Sequence, residues 1–338
     1  MRGGRVAEDV PNIGAARRRT TPPALMTDLP LWLENLLQTL ATGILVGGTY
    51  ALMCVGLSLI FGVMRVINFA QGDFLMLGMY AAFYLYTGVG LQALMGPYIG
   101  PIVAAFLAGP IVFAIAWFLH RWLMSRVSGT ATQGVAGEGH HAQLILTLGI
   151  ALVLQNGGLI VFGSMPQSIR SPLSKEAWEL GPVLLNKSRV VAFCVAVGVA
   201  LLLYFFMNRS VLGKALRAAA DNADAAIYMG IDVDRAHRLA FSIGIALTAI
   251  AGGLVAMYYP FQPYVGLDFV IIMYTGVVLG GMGSILGAFW GGMTIGLVQQ
   301  LSTLILPIQL QNTAIFVVFL VIVLFRPQGL FGRITERT

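Results

Sequence analysis

Long apolar runs separated by short polar stretches make up most of the chain. Runs with hardly a charge fall at about 36–63, 74–89, 102–123, 144–162, 190–207, 239–259, 267–280, 285–306 and 308–325. A helix needs about 20 apolar residues to cross a hydrocarbon core of roughly 30 Å, and most of these runs reach or approach that length. They are continuously apolar, whereas barrel strands alternate over about ten residues, so helices are favoured. The pattern predicts an all-α polytopic membrane protein with eight or nine transmembrane helices. The first run exceeds one crossing and contains Gly43, Gly47 and Gly48, where it is expected to tilt or break. The seventh is short enough to be a half-helix.

Composition supports the same class. Of 338 residues, 58% are hydrophobic and 10% charged, too few polar side chains to cover a soluble globule. The net charge of +6 would suggest nucleic acid in a soluble protein, but here the basic residues gather in loops and tails. The excess of Lys and Arg in cytoplasmic loops places Arg65, Arg121, Arg126, the segment 213–238, Arg326, Arg333 and Arg337 inside. Arg170, Lys175, Lys187 and Arg189 fall on the opposite side. Cys54 and Cys194 both lie in apolar runs, where a thiol serves as a small packing residue. Residues 1–30 are Pro-, Ala- and Arg-rich and are expected to be disordered, 31–332 to form the membrane domain, and 333–338 a cytoplasmic tail.

Several chemistries are missing. No G-x-x-x-x-G-K-[ST] phosphate loop occurs, because the pair Gly213-Lys214 is followed by Ala215 and lacks the upstream glycine. There is no H-E-x-x-H, and His140-His141 sit in a Gly-rich connection, so no metal site is expected. Ser164 has no intramembrane base beside it, which leaves no catalytic residues to name. A carrier coupled to protons or sodium needs acidic or polar groups near the midplane. Here Glu34, Asp73 and Asp268 lie near run ends, where they are expected to snorkel to an interface. Energy for uphill transport is therefore expected from another subunit.

The polar interruption "GKALRAAADNADAAIYMGIDVDRAHR" at 213–238 still reads as helical. Leu216, Ala220, Ala223 and Ile227 recur on one face, with Lys214, Arg217, Asp221 and Asp224 on the flanks. Gly230 is a left-handed stop and Asp232 a cap for the next span. A helix lying on lipid carries large apolar anchors and a basic face, whereas this one is alanine-rich with mixed charge. It suits a groove on another protein.

This segment resembles the cytoplasmic coupling segment of permeases from branched-chain amino acid ABC importers. "YALMCVGLSLIFGVMRVINFAQGDFLMLGMY" at 50–80 and "VVLGGMGSILGAFWGGMTIGLV" at 277–298 agree, in the right order, and within the family the likeness is greatest to the H-type permease subunit. The resemblance implies a bacterial inner-membrane heterodimer with a second, M-type permease, two cytoplasmic ATP-binding subunits and a periplasmic substrate-binding protein. ATP would sit on the partner subunits, with no cofactor on this chain. It also assigns Arg217, Ala219, Asp221, Gly230 and Asp232 to the surface that meets the ATPase. Ala218-Ala219-Ala220 stands where other importer families carry a Glu-Ala-Ala signature, which puts the acidic contact of that signature in question.

Asn68, Gln71 and Asp73, in "RVINFAQGDF", bring polar groups together beside Gly72. A capped turn starting the second helix is the first explanation and contact with a permeating solute the second. Gln155, Asn156, Gln299 and Gln300 pose the same choice between helix glue and solute contact. Asn68, Gln71, Asp73, Gln155 and Asn156 are the candidate path residues. Gly283, Gly287 and Gly291 recur every four residues, a flat ridge on which a neighbouring helix can pack. Urea or short amides would suit such an apolar path as well as a branched aliphatic amino acid.

Nine crossings with a cytoplasmic C-terminus put the N-terminus outside, yet Arg2, Arg5, Arg17, Arg18 and Arg19 precede the first run. An even span count would resolve this, and so would translation starting at Met26. We predict the latter: intact-mass measurement of protein expressed from its native gene should show a chain beginning at Met26. A mass that includes the five arginines would exclude it.

Overall fold

The computed structural model describes residues 30–128, 138–326 and Gly329. The expectations placed on the N-terminal tail and on 333–338 lie outside the described residues, as do the side chains of His140 and His141. Thirteen helices are described: α1 (Leu31–Met64), α2 (Gln71–Thr87), α3 (Leu91–Leu119), α4 (Ser125–Ser128), α5 (Glu138–Phe162), α6 (Pro172–Lys175), α7 (Lys187–Arg209), α8 (Val211–Asp221), α9 (Ala223–Tyr228), α10 (Val233–Val255), α11 (Val265–Gly280), α12 (Ile285–Ser302) and α13 (Gln311–Phe325). A π-helical turn, His120–Met124, extends α3.

Five helical stretches are long and apolar enough to cross a membrane: Leu31–Met64, Leu91–Met124, Ala142–Phe162, Lys187–Arg209 and Val233–Val255. α2, α11, α12 and α13 have 17, 16, 18 and 15 residues and complete the apolar set. The chain is an all-α polytopic membrane protein. The one small sheet among the described residues is a hairpin that the hydropathy pattern does not announce, β1 (Ala177–Leu180) paired antiparallel with β2 (Val183–Asn186). Gly181, at φ 60°, makes the turn.

The hairpin marks one pole of the molecule. Gln38, near the start of α1, brackets Leu184 with both ends of its amide: Nε2 donates to the Leu184 carbonyl and Oε1 accepts from the Leu184 N–H, each at 2.8 Å. Glu176 accepts from Lys187 Nζ at 2.6 Å and from the Tyr98 hydroxyl at 2.9 Å. The Lys187 bond, followed by the Tyr98 bond, holds the Glu176 carboxyl below the usual carboxylate range. The opposite pole carries the end of α1, the π-helical turn, α8 and α9. There Arg65 Nη2 donates to the Ala220 carbonyl at 3.1 Å.

α1 forms the axis. It runs 34 residues without a break, contrary to the interruption expected at Gly43, Gly47 and Gly48. Those glycines are instead where neighbours press closest. A Cβ on Gly47 would lie 2.9 Å from the Met293 carbonyl oxygen of α12, and one on Gly48 would lie 2.3 Å from the Phe193 ring of α7. The backbone distortion falls in α3, at Gly96 (φ 78°), directly before Pro97.

α12 packs between α1 and α11 with glycine on both faces. A Cβ on Gly292 would meet the Ala51 Cα of α1 at 2.5 Å, and one on Gly291 would meet the Gly276 carbonyl oxygen of α11 at 2.0 Å. Gly287 likewise faces Gly280 at 2.2 Å. The four-residue ridge is two members long within the helix, because Gly283 lies before α12 in the turn from α11, at φ 85°. Its conformation, rather than its spacing, requires glycine there. Tyr50 of α1 donates to Gln299 Oε1 of α12 at 2.8 Å, so this amide joins helices.

Overpacking a close-packed interior costs about 1–3 kcal/mol and more where backbone must move. Gly291→Val is therefore expected to lower the thermal midpoint of the detergent-solubilised protein. Gly198→Ala, where a Cβ would meet nothing within 4 Å, should leave the midpoint unchanged or slightly raised. Equal midpoints for Gly291→Val and the parent protein would show that these helices do not depend on backbone contact.

Candidate functional site

The segment between α7 and α10 is two helices, not the single rod that its sequence suggests. α8 follows α7 across a tight turn at Ser210, whose Oγ accepts from the Gly213 N–H at 2.9 Å. No side chain fits at Gly213, since a Cβ would strike the Phe206 and Met207 carbonyls at 2.6 Å. α8 ends where Asn222 takes an extended conformation (φ −151°, ψ 104°) and its Oδ1 caps α9 by accepting from the Ala225 N–H at 3.0 Å. Asn and Asp compete for backbone hydrogen bonds, and Asn222 does so here in mid-segment. Gly230, at φ 80°, ends α9, and Asp232 Oδ1 caps α10 through the Arg235 N–H at 3.0 Å.

The break changes which residues face inward. Gly213, Leu216, Ala219 and Ala226 are buried, whereas Ile227, on the expected apolar stripe, is exposed. Ala219, assigned by resemblance to the partner surface, is 3% exposed and packs within this chain. Arg217, Asp221, Gly230 and Asp232 are exposed. Arg217 Nη1 donates to Asn208 Oδ1 at 3.2 Å, and with Asp221 and Arg65 it lines a cavity of about 560 Å³ between α8 and the ends of α1 and α12. Beyond it the segment offers an apolar tip, with Tyr228 89% and Met229 82% exposed.

The second polar cluster lies deep among the helices. Asn68 Oδ1 accepts from the Ala70 N–H at 3.2 Å, which turns the chain into α2. Asn68 Nδ2 donates to Gln71 Oε1 at 3.0 Å, and Gln71 Nε2 donates to Thr248 Oγ1 of α10 at 2.6 Å. The Thr248 hydroxyl donates to the Gly244 carbonyl at 3.0 Å, closing a buried chain of bonds between two helices. Asp73 is 2% exposed, so it does not snorkel: α2 begins inside the bundle, level with the middle of α10. Its place in the first turn sets the carboxyl against the positive end of the helix dipole. The Gln155 amide approaches it from α5, while Oδ1 has no partner among the described residues.

Gln155 and Asn156 therefore part company. Gln155 is 7% exposed and faces Asp73, whereas Asn156 points outward and donates to the Leu152 carbonyl of its own helix at 2.7 Å. Asn68, Gln71, Asp73 and Gln155 form one buried cluster without Asn156. Thr248, Ser210 and Asn222 were not among the residues that the sequence singled out. The two caps carry a local signal, an acceptor three residues before the N–H it receives, but nothing in the sequence pairs position 248 with position 71.

Residues 39–325 match the family described as branched-chain amino acid transport system / permease component. The high-affinity branched-chain amino acid transport system permease protein LivH of Escherichia coli (strain K12) is 31% identical over 303 residues, 88% of this chain and 96% of LivH. The corresponding permease protein BraD of Pseudomonas aeruginosa is 32% identical over 304 residues, again 88% of this chain and 96% of BraD. A probable LivH of Methanocaldococcus jannaschii is 29% identical over 259 residues, 75% of this chain and 76% of that protein. The matched stretch takes in α8, α9 and the Asn68–Gln71–Thr248 cluster alike, and the chain belongs to the family of branched-chain amino acid transport permeases.

Proposed function

We propose that this chain is the H-type permease subunit of an ATP-driven importer that carries branched-chain amino acids into the cytoplasm. In this reading it works in a bacterial inner membrane beside a second, M-type permease. Two cytoplasmic subunits bind and hydrolyse ATP, and a periplasmic protein delivers the solute. The family match and the names of the relatives support the substrate class. The absence of a phosphate loop from the sequence supports a division of labour in which fuel is consumed elsewhere.

The observation that carries the coupling assignment is the shape of α8 and α9. Their inner face is fastened to the membrane helices through Leu216, Ala219 and Ala226, and α8 is tied to α1 through Arg65 and Ala220. Their outer end leaves Ile227, Tyr228 and Met229 uncovered, 53%, 89% and 82% exposed, at the pole rich in Arg. A contiguous exposed apolar patch rimmed by charge is the usual mark of a protein contact. Such a patch on a firmly anchored support moves the membrane helices when its partner moves. Arg217, Asp221 and Asp232 form the polar margin of this contact, and Gly230 shapes its end.

Replacing Tyr228 and Met229 together by aspartate should leave the subunit inserted and folded, because neither side chain is packed. We expect the double variant to lose co-purification with the ATP-binding subunits and to lower ATP-dependent leucine uptake by tenfold or more, the effect of removing the anchors of a contact. Uptake and co-purification equal to those of the parent importer would refute the docking assignment.

A further inference from the structure

Resting on the reading of this chain as an amino acid permease, we propose that it carries its own site for a free amino acid zwitterion. The site is a cavity of about 350 Å³ at the pole marked by the hairpin, with Arg189 for the carboxylate and Asp268 for the ammonium group. The cavity is enclosed by the middle of α1, the first turns of α7 and α11, the end of α12 and the start of α13. Its volume falls within the range of about 300–1,000 Å³ that is usual for small-molecule sites.

The charges make the case. Arg189 and Asp268 line the same cavity, yet among the described residues neither forms an ion pair or a side-chain hydrogen bond within the chain. Arg189 is half-buried and Asp268 exposed, so water reaches both, and a ligand of opposite charges that enters the space meets each without first breaking an ion pair. The two side chains are held on separate elements, Arg189 in the first turn of α7 and Asp268 in the first turn of α11. The Arg189 guanidinium rests over the Tyr258 ring, 5.7 Å from its centre, and the Tyr258 hydroxyl is fixed by Thr49 Oγ1 at 2.9 Å. Arg189 is thus oriented by aromatic stacking while its donors stay open for a carboxylate.

The remaining walls are mixed, with the amides of Gln299, Gln300, Gln309, Gln311 and Asn312 on them. Gln299 spends its oxygen on the Tyr50 hydroxyl at 2.8 Å, which leaves its NH₂ out of that bond. Val46, Phe269 and Ile272 supply an apolar side, as an aliphatic side chain requires. A ligand bearing both charges satisfies Arg189 and Asp268 at once, and one bearing a single charge leaves the other uncompensated. A neutral solute such as urea or a short amide can hydrogen-bond to either group but neutralises neither.

Thermal unfolding of the complete, detergent-solubilised importer without its binding protein tests this, using L-leucine as the probe. Ligand that binds only the folded complex raises its midpoint. Millimolar L-leucine should raise the midpoint of the parent complex, while 4-methylpentanoic acid, which lacks the ammonium group, and 3-methylbutylamine, which lacks the carboxylate, should not. Arg189→Gln and Asp268→Asn should each weaken the leucine effect about tenfold or more in concentration, as expected for loss of a charge-assisted contact. Where a neutral variant fails to assemble, Arg189→Lys and Asp268→Glu decide, and each should require more leucine than the parent for the same rise. No leucine-dependent rise in the parent complex, an equal rise with either single-charge analogue, or unchanged leucine dependence in the variants overturns the site. Leucine uptake by reconstituted vesicles is measured in parallel: uptake without the midpoint rise leaves the amino acid permease reading standing and removes only this site, whereas absence of uptake removes that reading as well.

Discussion

Backbone approaching backbone is the contact on which the rest of this structure depends. Lipid tails are as apolar as leucine, so burying apolar side chains gives little drive for helix association in a bilayer, and close van der Waals packing has to supply it. The chain achieves this with glycines in pairs that meet across helices: Gly56 with Gly244, Gly72 with Gly266, Gly280 with Gly287 and Gly276 with Gly291. At each a side chain would intrude to within 2.0–2.7 Å of neighbouring main chain or, at Gly276, of Cys54 Sγ. The pairs join α1 to α10, α2 to α11 and α11 to α12. The polar cluster can therefore exist where it does: Gln71 reaches Thr248 because α2 and α10 are drawn together by the contacts of Gly78 with Ala249 and Gly252 with Leu75.

Close packing also explains the position of the charged residues. α2 and α11 both start within the bundle, at the touching glycines Gly72 and Gly266, and each places an aspartate in its first turn. Asp73 is enclosed by that junction and Asp268 opens onto the outer cavity. The same construction yields one buried carboxyl tied into the helix assembly and one accessible carboxyl facing a guanidinium across a space. Asp73 directly follows its glycine, whereas Asp268 stands two residues beyond its own.

The class of fold, the membrane helices and the polar pole were legible in the sequence because they rest on local or additive quantities: run length, charge bias and capping residues. Asp232 and Gly230 were placed correctly from their neighbours alone. The errors came from quantities that are not local. Asn222 reads as a tolerable helix residue until its side chain is seen to cap α9, and after that break Ala226 is the buried residue and Ile227 is exposed. Asp73 reads as a span-end residue because the run starts there, whereas the start of α2 is sunk into the bundle by contacts with residues about 180 positions away. Gly283 shares the spacing of Gly287 and Gly291 but not their role, since periodicity cannot show where a helix begins. The external hairpin left no hydropathy signal because β1 is exposed along its whole length.

α1 has a consequence of its own. One end of this helix bears Arg65, which grips the last turn of α8, and its middle supplies Val46 and Tyr50 to the cavity that opens toward the hairpin. No proline and no non-helical residue lies between them. A stiff shaft of this kind cannot be shortened by local melting without unseating the glycine contacts along its sides, so a displacement at one end is delivered whole to the other. The geometry is that of a connecting rod, and it makes the timing of the two ends inseparable.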